Sequence, residues 1–246
     1  MDALTPFQLA YVALILVASF AVRGSAGFGG LNGPLLMVVL PAKMVIPGLV
    51  FLGVVSSGAI VVRDYRHIDW SAVWRTLPYG IVGTVIGLWL FDRLDANAIE
   101  KGLGAFLLVY GLFALWRIER APRHSKIPPR VLAGVMGTLS GVIGTMFGAM
   151  AGVFVAVFLD SLRLAKSAFR VTVAAILLIM GTFRAAGYVM VGAVTTDVLI
   201  LTGVALPLIG IGIVLGNRMH ARLNQKGFSR LVGVLFVLIG TFLFVR

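Results

Sequence analysis

Two arginines set in apolar surroundings, Arg23 and Arg184, carry the clearest chemistry in this sequence. A charge at the centre of a membrane helix costs about 2.5–3.5 kcal/mol on insertion scales, so a retained arginine faces a cavity or a partner, or snorkels from a helix end. Arg184 stands inside the run Leu177-Leu178-Ile179-Met180-Gly181-Thr182-Phe183-Arg184-Ala185-Ala186-Gly187-Tyr188-Val189. Arg23 stands where an apolar segment meets a glycine-rich break, Arg23-Gly24-Ser25-Ala26-Gly27-Phe28-Gly29-Gly30-Leu31-Asn32-Gly33-Pro34. A second break, Gly141-Val142-Ile143-Gly144-Thr145-Met146-Phe147-Gly148-Ala149-Met150-Ala151-Gly152, occupies the corresponding place in the second half. Paired interruptions of this kind point to a substrate site in a membrane chain. Backbone released from a helix inside a bilayer is tolerated where it is buried in protein or lines a wet cavity. Two half-helix N-termini meeting there would aim free N–H groups and positive dipole ends at one spot, which suits an anion. The arginine fork grips a sulfonate or carboxylate through paired donors. The candidate binding residues are Arg23, Ser25, Gly27, Gly29, Gly30, Asn32, Gly148, Gly152 and Arg184. The competing reading of the glycines is close helix packing, since small residues also line membrane helix interfaces.

Other chemistries lack their residues. There is no cysteine, hence no thiolate, disulfide or thiol nucleophile. His67, His124 and His220 fall in loops without metal-ligand spacing, so no metal site and no cofactor is expected. No hydrolase triad order, zinc-protease motif or phosphate loop is present, which argues against an enzyme and against ATP drive. The acidic residues all fall in loops or at segment ends, so the usual carboxylate relay for protons is missing. Backbone carbonyls and hydroxyls could still hold sodium, and a proton or sodium ion stays open as a coupling partner.

These groups must be positioned by membrane helices. Of the 246 residues 60% are hydrophobic and 12% charged, with mean hydropathy +1.04, against roughly 25% charged in soluble domains. The apolar segments are 7–22, 31–40, 44–62, 72–91, 98–116, 131–146, 149–159, 171–190, 198–217 and 229–245. Segments 31–40 and 149–159 are too short to span alone and read as half-helices or re-entrant arms. The first segment follows no Lys or Arg, unlike a secretory leader, and reads as a retained span. The pattern gives an all-α polytopic membrane protein with about 8–10 transmembrane or half-membrane helices. Residues 117–130, basic and proline-containing, read as a linker between a first repeat over 1–116 and a second over 131–246. Pro78, Gly83, Gly87, Arg93, Leu94, Gly104, Gly111 and Phe113 match Pro207, Gly212, Gly216, Arg222, Leu223, Gly233, Gly240 and Phe242 at one constant spacing. The net charge of +12 comes largely from loop Lys and Arg; these follow the positive-inside rule and form no aromatic-interleaved platform for nucleic acid. Placing basic loops 63–75, 117–130, 160–170 and 218–230 in the cytoplasm makes segments 7–22/31–40 and 131–146/149–159 returning hairpins. The repeats are then inverted, with both termini outside. Tyr65, Trp70 and Trp74 read as an interfacial belt.

The sequence resembles the sulfite exporter TauE/SafE family of membrane permeases over nearly its whole length. The resemblance rests on Gly27-Phe28-Gly29-Gly30 followed by Pro34, on Tyr65-Arg66-His67-Ile68-Asp69-Trp70, and on the Gly83/Gly87 segment followed by Asp92-Arg93-Leu94. Leu31 stands where that family commonly has a third glycine, and the second copy of the motif is reduced to Gly144-Thr145-Met146-Phe147-Gly148-Ala149. The resemblance implies export or uptake of sulfite, sulfonates or related organosulfur anions across the bacterial inner membrane. Alternating access around the two glycine breaks is the expected mechanism. An anion channel, and a membrane scaffold subunit without flux, are the alternatives.

Overall fold

The computed structural model describes residues 6–26, 32–117, 128–148, 150–218 and 225–245, and the regular structure in them is helical. Among these residues the chain forms α1 (Pro6–Ala26), α2 (Asn32–Met37), α3 (Ala42–Asp64), α4 (Trp70–Arg93), α5 (Ala96–Arg117), α6 (Pro129–Phe147), α7 (Ala151–Ser161), α8 (Lys166–Met190), α9 (Thr196–Arg218) and α10 (Gln225–Val245), with a single 3-10 turn at Tyr65–His67. Each apolar segment of the sequence becomes one helix. Length separates the roles. At 1.5 Å per residue, the 11 residues of α7 and the 6 of α2 reach about 16 and 9 Å, well short of a hydrocarbon core about 30 Å thick. Among the described residues, α3, α5, α6 and α8 are long and apolar enough to cross by length and composition.

Local chemistry sets the helix ends. The Asp69 carboxylate accepts from the Ala72 N–H (3.0 Å) and caps α4, while its own N–H donates to Thr172 Oγ1 (3.0 Å) at the start of α8. Ile68 is buried beside it. The Tyr65–Trp70 motif is thus a corner that turns α3 into α4 and fastens both to α8. Pro129 opens α6 at a position where no backbone donor is lost. Pro78 and Pro207, matched in the two halves, sit inside α4 and α9, where each removes one intrahelical hydrogen bond.

Glycine allows the helices to touch backbone to backbone. A Cβ on Gly83 of α4 would meet the Thr138 carbonyl oxygen of α6 at 2.3 Å, and one on Gly141 would meet that of Gly80 at 2.4 Å. In the other half, a Cβ on Gly212 of α9 would meet the Val17 carbonyl oxygen of α1 at 2.7 Å. The packing partners correspond throughout: α4 lies on α6 as α9 lies on α1, and α4 on α8 as α9 on α3. Besides the α6–α7 hairpin, the remaining large contacts join counterparts, α3 with α8 and α5 with α10. These counterpart pairs run antiparallel. Gly104 of α5 faces Gly240 and Phe244 of α10, whereas Gly111 faces Gly233; likewise Gly58 of α3 faces Leu178 of α8 and Gly181 faces Val54.

The two short helices fold back. Leu132 and Ala133 at the start of α6 share one core cluster with Phe158 and Leu159 at the end of α7, Val171 of α8, and Ala72 and Val73 of α4. The chain therefore enters and leaves the α6–α7 hairpin at the same end of the bundle. At the opposite end the Tyr11 hydroxyl of α1 donates to the Leu35 carbonyl of α2 (3.0 Å), and the Ala42 N–H of α3 donates to Glu100 Oε1 of α5 (3.2 Å). The outer surface carries exposed Leu14, Val62, Val109 and Val204, as a surface facing lipid should. Tyr65, Trp70, Trp74 and Trp116 are exposed at one end and Trp89 at the other, where the Arg93 guanidinium lies 4.5 Å from the Trp89 ring centroid. Such aromatic girdles mark bilayer interfaces.

Candidate functional site

The second glycine break is a sharp joint between α6 and α7. Gly148 closes α6 at φ 63° and Met150 precedes α7 at φ 66°. The glycine is required twice over: its φ is left-handed, and a Cβ would come within 3.1 Å of Ile46 Cα. Met150 is the costly member, since a left-handed φ on an L side chain carries about 1–2 kcal/mol. Its side chain is buried in the main core cluster, which holds it there. Local strain stored this way concentrates at functional sites.

Breaking a helix orphans the last carbonyls of one piece and the first N–H groups of the next. A side chain from α8 answers part of this demand. The buried Tyr188 hydroxyl donates to the Thr145 carbonyl in the last turn of α6. Ser140 Oγ donates to the Ala151 carbonyl (2.9 Å), tying the first turn of α7 to α6. One helical turn before Tyr188 stands Arg184, only 6% exposed. Its guanidinium lies against Gly144, where a Cβ would sit 2.8 Å from Nη1 and 2.9 Å from Nη2. Arg184 Nη2 donates to the Ser140 carbonyl at 3.3 Å, and Nε has no hydrogen-bond partner.

Arg184 opens on a cavity of ≈ 50 Å³. One water needs about 10–15 Å³ of such volume, so there is room for a few waters or one small oxyanion. Asn32 of α2, Leu49, Val50 and Gly53 of α3, Gly148 and Met150 of the break, Ala151 and Gly152 of α7, and Leu177, Gly181 and Arg184 of α8 form its walls. No acidic residue is among them. The N-terminal turn of α7, with Ala151 and Gly152 in the cavity wall, brings the positive end of its dipole to the same space. Asn32 is buried, with Oδ1 accepting from the Gly33 N–H (3.1 Å). The arrangement presents a cation, a positive helix end and an amide to a small enclosed space, which is the chemistry of anion binding.

Of the residues expected from sequence, Asn32, Gly148, Gly152 and Arg184 meet around this cavity. Arg23 and Ser25 lie in the last turn of α1, and Gly27, Gly29 and Gly30 lie outside the described residues. Sequence reasoning missed Ser140 and Gly144 as the neighbours of Arg184 and Tyr188 as the support of the break, along with the α3 wall and Leu177 and Gly181 of α8. A signal for Tyr188 was available, because residues four apart share a helix face.

The sulfite exporter TauE/SafE family model matches residues 11–243. The chain is also similar to the probable inner membrane transporter protein TsaS of Comamonas testosteroni, 31% identical over 223 residues that cover 87% of this chain and 84% of the relative. No solved structure matches.

Proposed function

The chain belongs to the sulfite exporter TauE/SafE family, and on that premise we propose that it is an inner-membrane carrier of a small organosulfur anion, sulfite or a short sulfonate. Membership supports a membrane transporter. The observation that carries the anion reading is Arg184, a buried guanidinium whose Nη2 donates over 3.3 Å to a neutral carbonyl and whose Nε has no partner, facing a cavity with no carboxylate among the described residues that line it. A buried cation left so poorly matched is costly, and an anionic ligand in the cavity would complete it. Arg23, Ser25, Gly27, Gly29 and Gly30 of the first break, together with Asn32, Gly148 and Gly152, complete the proposed site.

Two further observations support alternating access by inverted repeats over 1–116 and 131–246. Counterpart helices that touch, α5 with α10 and α3 with α8, run antiparallel. A two-fold relation between contacting counterparts gives antiparallel pairs only when its axis crosses the helices, hence in the membrane plane. The end where α3 turns into α4 and α7 into α8 carries Arg63, Arg66, Arg75, Arg130, Arg163, Lys166 and Arg170, while residues 191–196 at the other end contain no Lys or Arg. The positive-inside rule puts that basic end in the cytoplasm.

Thermal unfolding of the detergent-purified protein tests the binding site. Sulfite and methanesulfonate should raise Tm saturably, as any ligand of the folded state does. The rise should vanish in Arg184→Gln, and choline should give none in either protein. A rise that persists undiminished in Arg184→Gln would move the site elsewhere.

A further inference from the structure

Resting on Arg184 as the anion ligand, we propose that the protein is an anion exchanger, whose site crosses the membrane occupied and not empty. Electrostatics around the guanidinium carry this. Arg184 is 6% exposed, and among the described residues Nε is unpartnered and Nη2 donates to the uncharged Ser140 carbonyl. Gly144, against which the guanidinium lies, offers no side chain, and the Tyr188 hydroxyl one turn away is committed to Thr145. Among the described residues, no carboxylate lines the cavity. The acidic residues of the described chain stand at or near helix ends, as Asp69 does in capping α4 and Glu100 in capping α3.

The described residues therefore supply a fixed positive charge at the site without a counter-charge. Any change of access between the two sides passes through a closed form in which the guanidinium loses water. Empty, that form holds a lone cation in a low dielectric, the arrangement that is most strongly disfavoured for buried charges. Loaded with a monoanion, it holds a charge-assisted, two-pronged pair of no net charge. The loaded site reorients faster than the empty one, so an anion carried one way must be answered by an anion carried back. One-for-one exchange of monoanions moves no net charge across the membrane, so its rate is insensitive to membrane potential.

The test is uptake of labelled methanesulfonate into liposomes holding the full-length protein. Half of the vesicles are preloaded with unlabelled methanesulfonate and half with gluconate. Exchange predicts initial rates faster by about tenfold or more in the preloaded vesicles, a factor equivalent to about 1.4 kcal/mol. It also predicts no response to a potassium-diffusion potential. Arg184→Lys keeps the charge but not the fork, so the preloading advantage should survive at a weaker apparent affinity. Arg184→Gln should lose the advantage along with affinity. Saturable uptake at equal rates in both vesicle sets would overturn exchange while leaving the carrier intact. Uptake into gluconate vesicles driven by a proton or sodium gradient would do the same. Absence of any saturable flux, from protein shown to be folded, would sink the anion-carrier reading and this inference with it. The wild-type comparison decides the matter even if a variant fails to fold.

Discussion

Replacing Gly144 with alanine inserts one methyl group between α6, the first turn of α7 and the Arg184 guanidinium. The new Cβ would stand 2.5 Å from Ala151 Cβ, 2.8 Å from Nη1 and 2.9 Å from Nη2. None of these separations is tolerable, and the guanidinium, the flexible one of the two neighbours, must leave its place. Overpacking of this size costs about 1–3 kcal/mol. The intrinsic helix preference of alanine over glycine returns up to about 1 kcal/mol to the fold whether or not anion is bound. If the guanidinium is the anion's ligand, the steric cost falls on binding. At about 1.4 kcal/mol per factor of ten, the anion should bind roughly 5- to 150-fold more weakly. Gly134→Ala on the same helix is the matched control. Its Cβ would meet the Tyr79 ring at 3.6 Å, an ordinary contact, so transport should be unchanged and Tm equal or slightly higher. The assay is the concentration dependence of sulfite and methanesulfonate uptake in liposomes, with thermal unfolding of each variant alongside. Gly144→Ala transporting with the affinity of the parent and the Gly134 control would refute the assignment of Arg184 to the anion.

Tyr188→Phe keeps the ring packed edge-on against Phe91, 5.0 Å between centroids, but leaves the Thr145 carbonyl without its donor. An orphaned buried group costs about 1–3 kcal/mol, so the variant should melt lower in detergent; an unchanged Tm would mean the bond does not hold the break. Gly83→Val drives a side chain into the Thr138 backbone, with its Cβ 2.3 Å from the carbonyl oxygen, whereas Gly203→Ala has open space around it. The first should lose monodisperse protein in size-exclusion chromatography and the second should not; equal recovery would contradict the α4–α6 packing. Because the sequence has no cysteine, single replacements report topology cleanly. Arg120→Cys and Arg222→Cys should both react with an impermeant thiol reagent only from the cytoplasmic side, and Ala193→Cys only from outside. Labelling of residues 120 and 222 from opposite sides would remove the inverted arrangement.

The helices were legible because a bilayer writes its demands plainly into sequence. Ten apolar segments became ten helices among the described residues. The two segments too short to cross became α2 and α7, since hydrophobic length is a direct physical constraint. The glycine break at Gly148 was legible for a similar reason: a left-handed residue at a helix end calls for glycine. Arg184 stood out by the cost of its charge. The walls of the cavity did not stand out. Leu49, Val50 and Leu177 face the site, yet in a helix apolar all round nothing distinguishes an inward leucine from one facing lipid. The support of Arg184 by Ser140 joins residues 44 apart in sequence, and the touching of Gly104 with Gly240 depends on the antiparallel packing of α5 and α10. Each of those glycines was visible as half of a repeat pair, Gly104 with Gly233 and Gly111 with Gly240. Only the antiparallel packing shows that each touches its neighbour's counterpart rather than its own.

Uptake of labelled sulfite and methanesulfonate by liposomes holding the purified protein tests the central claim most directly. The account predicts saturable flux of at least one of them, collapsing in Arg184→Gln protein that remains folded. Flux that never saturates would make the protein a channel, and flux indifferent to Arg184 would place the anion outside the cavity between α2, α3, α7 and α8.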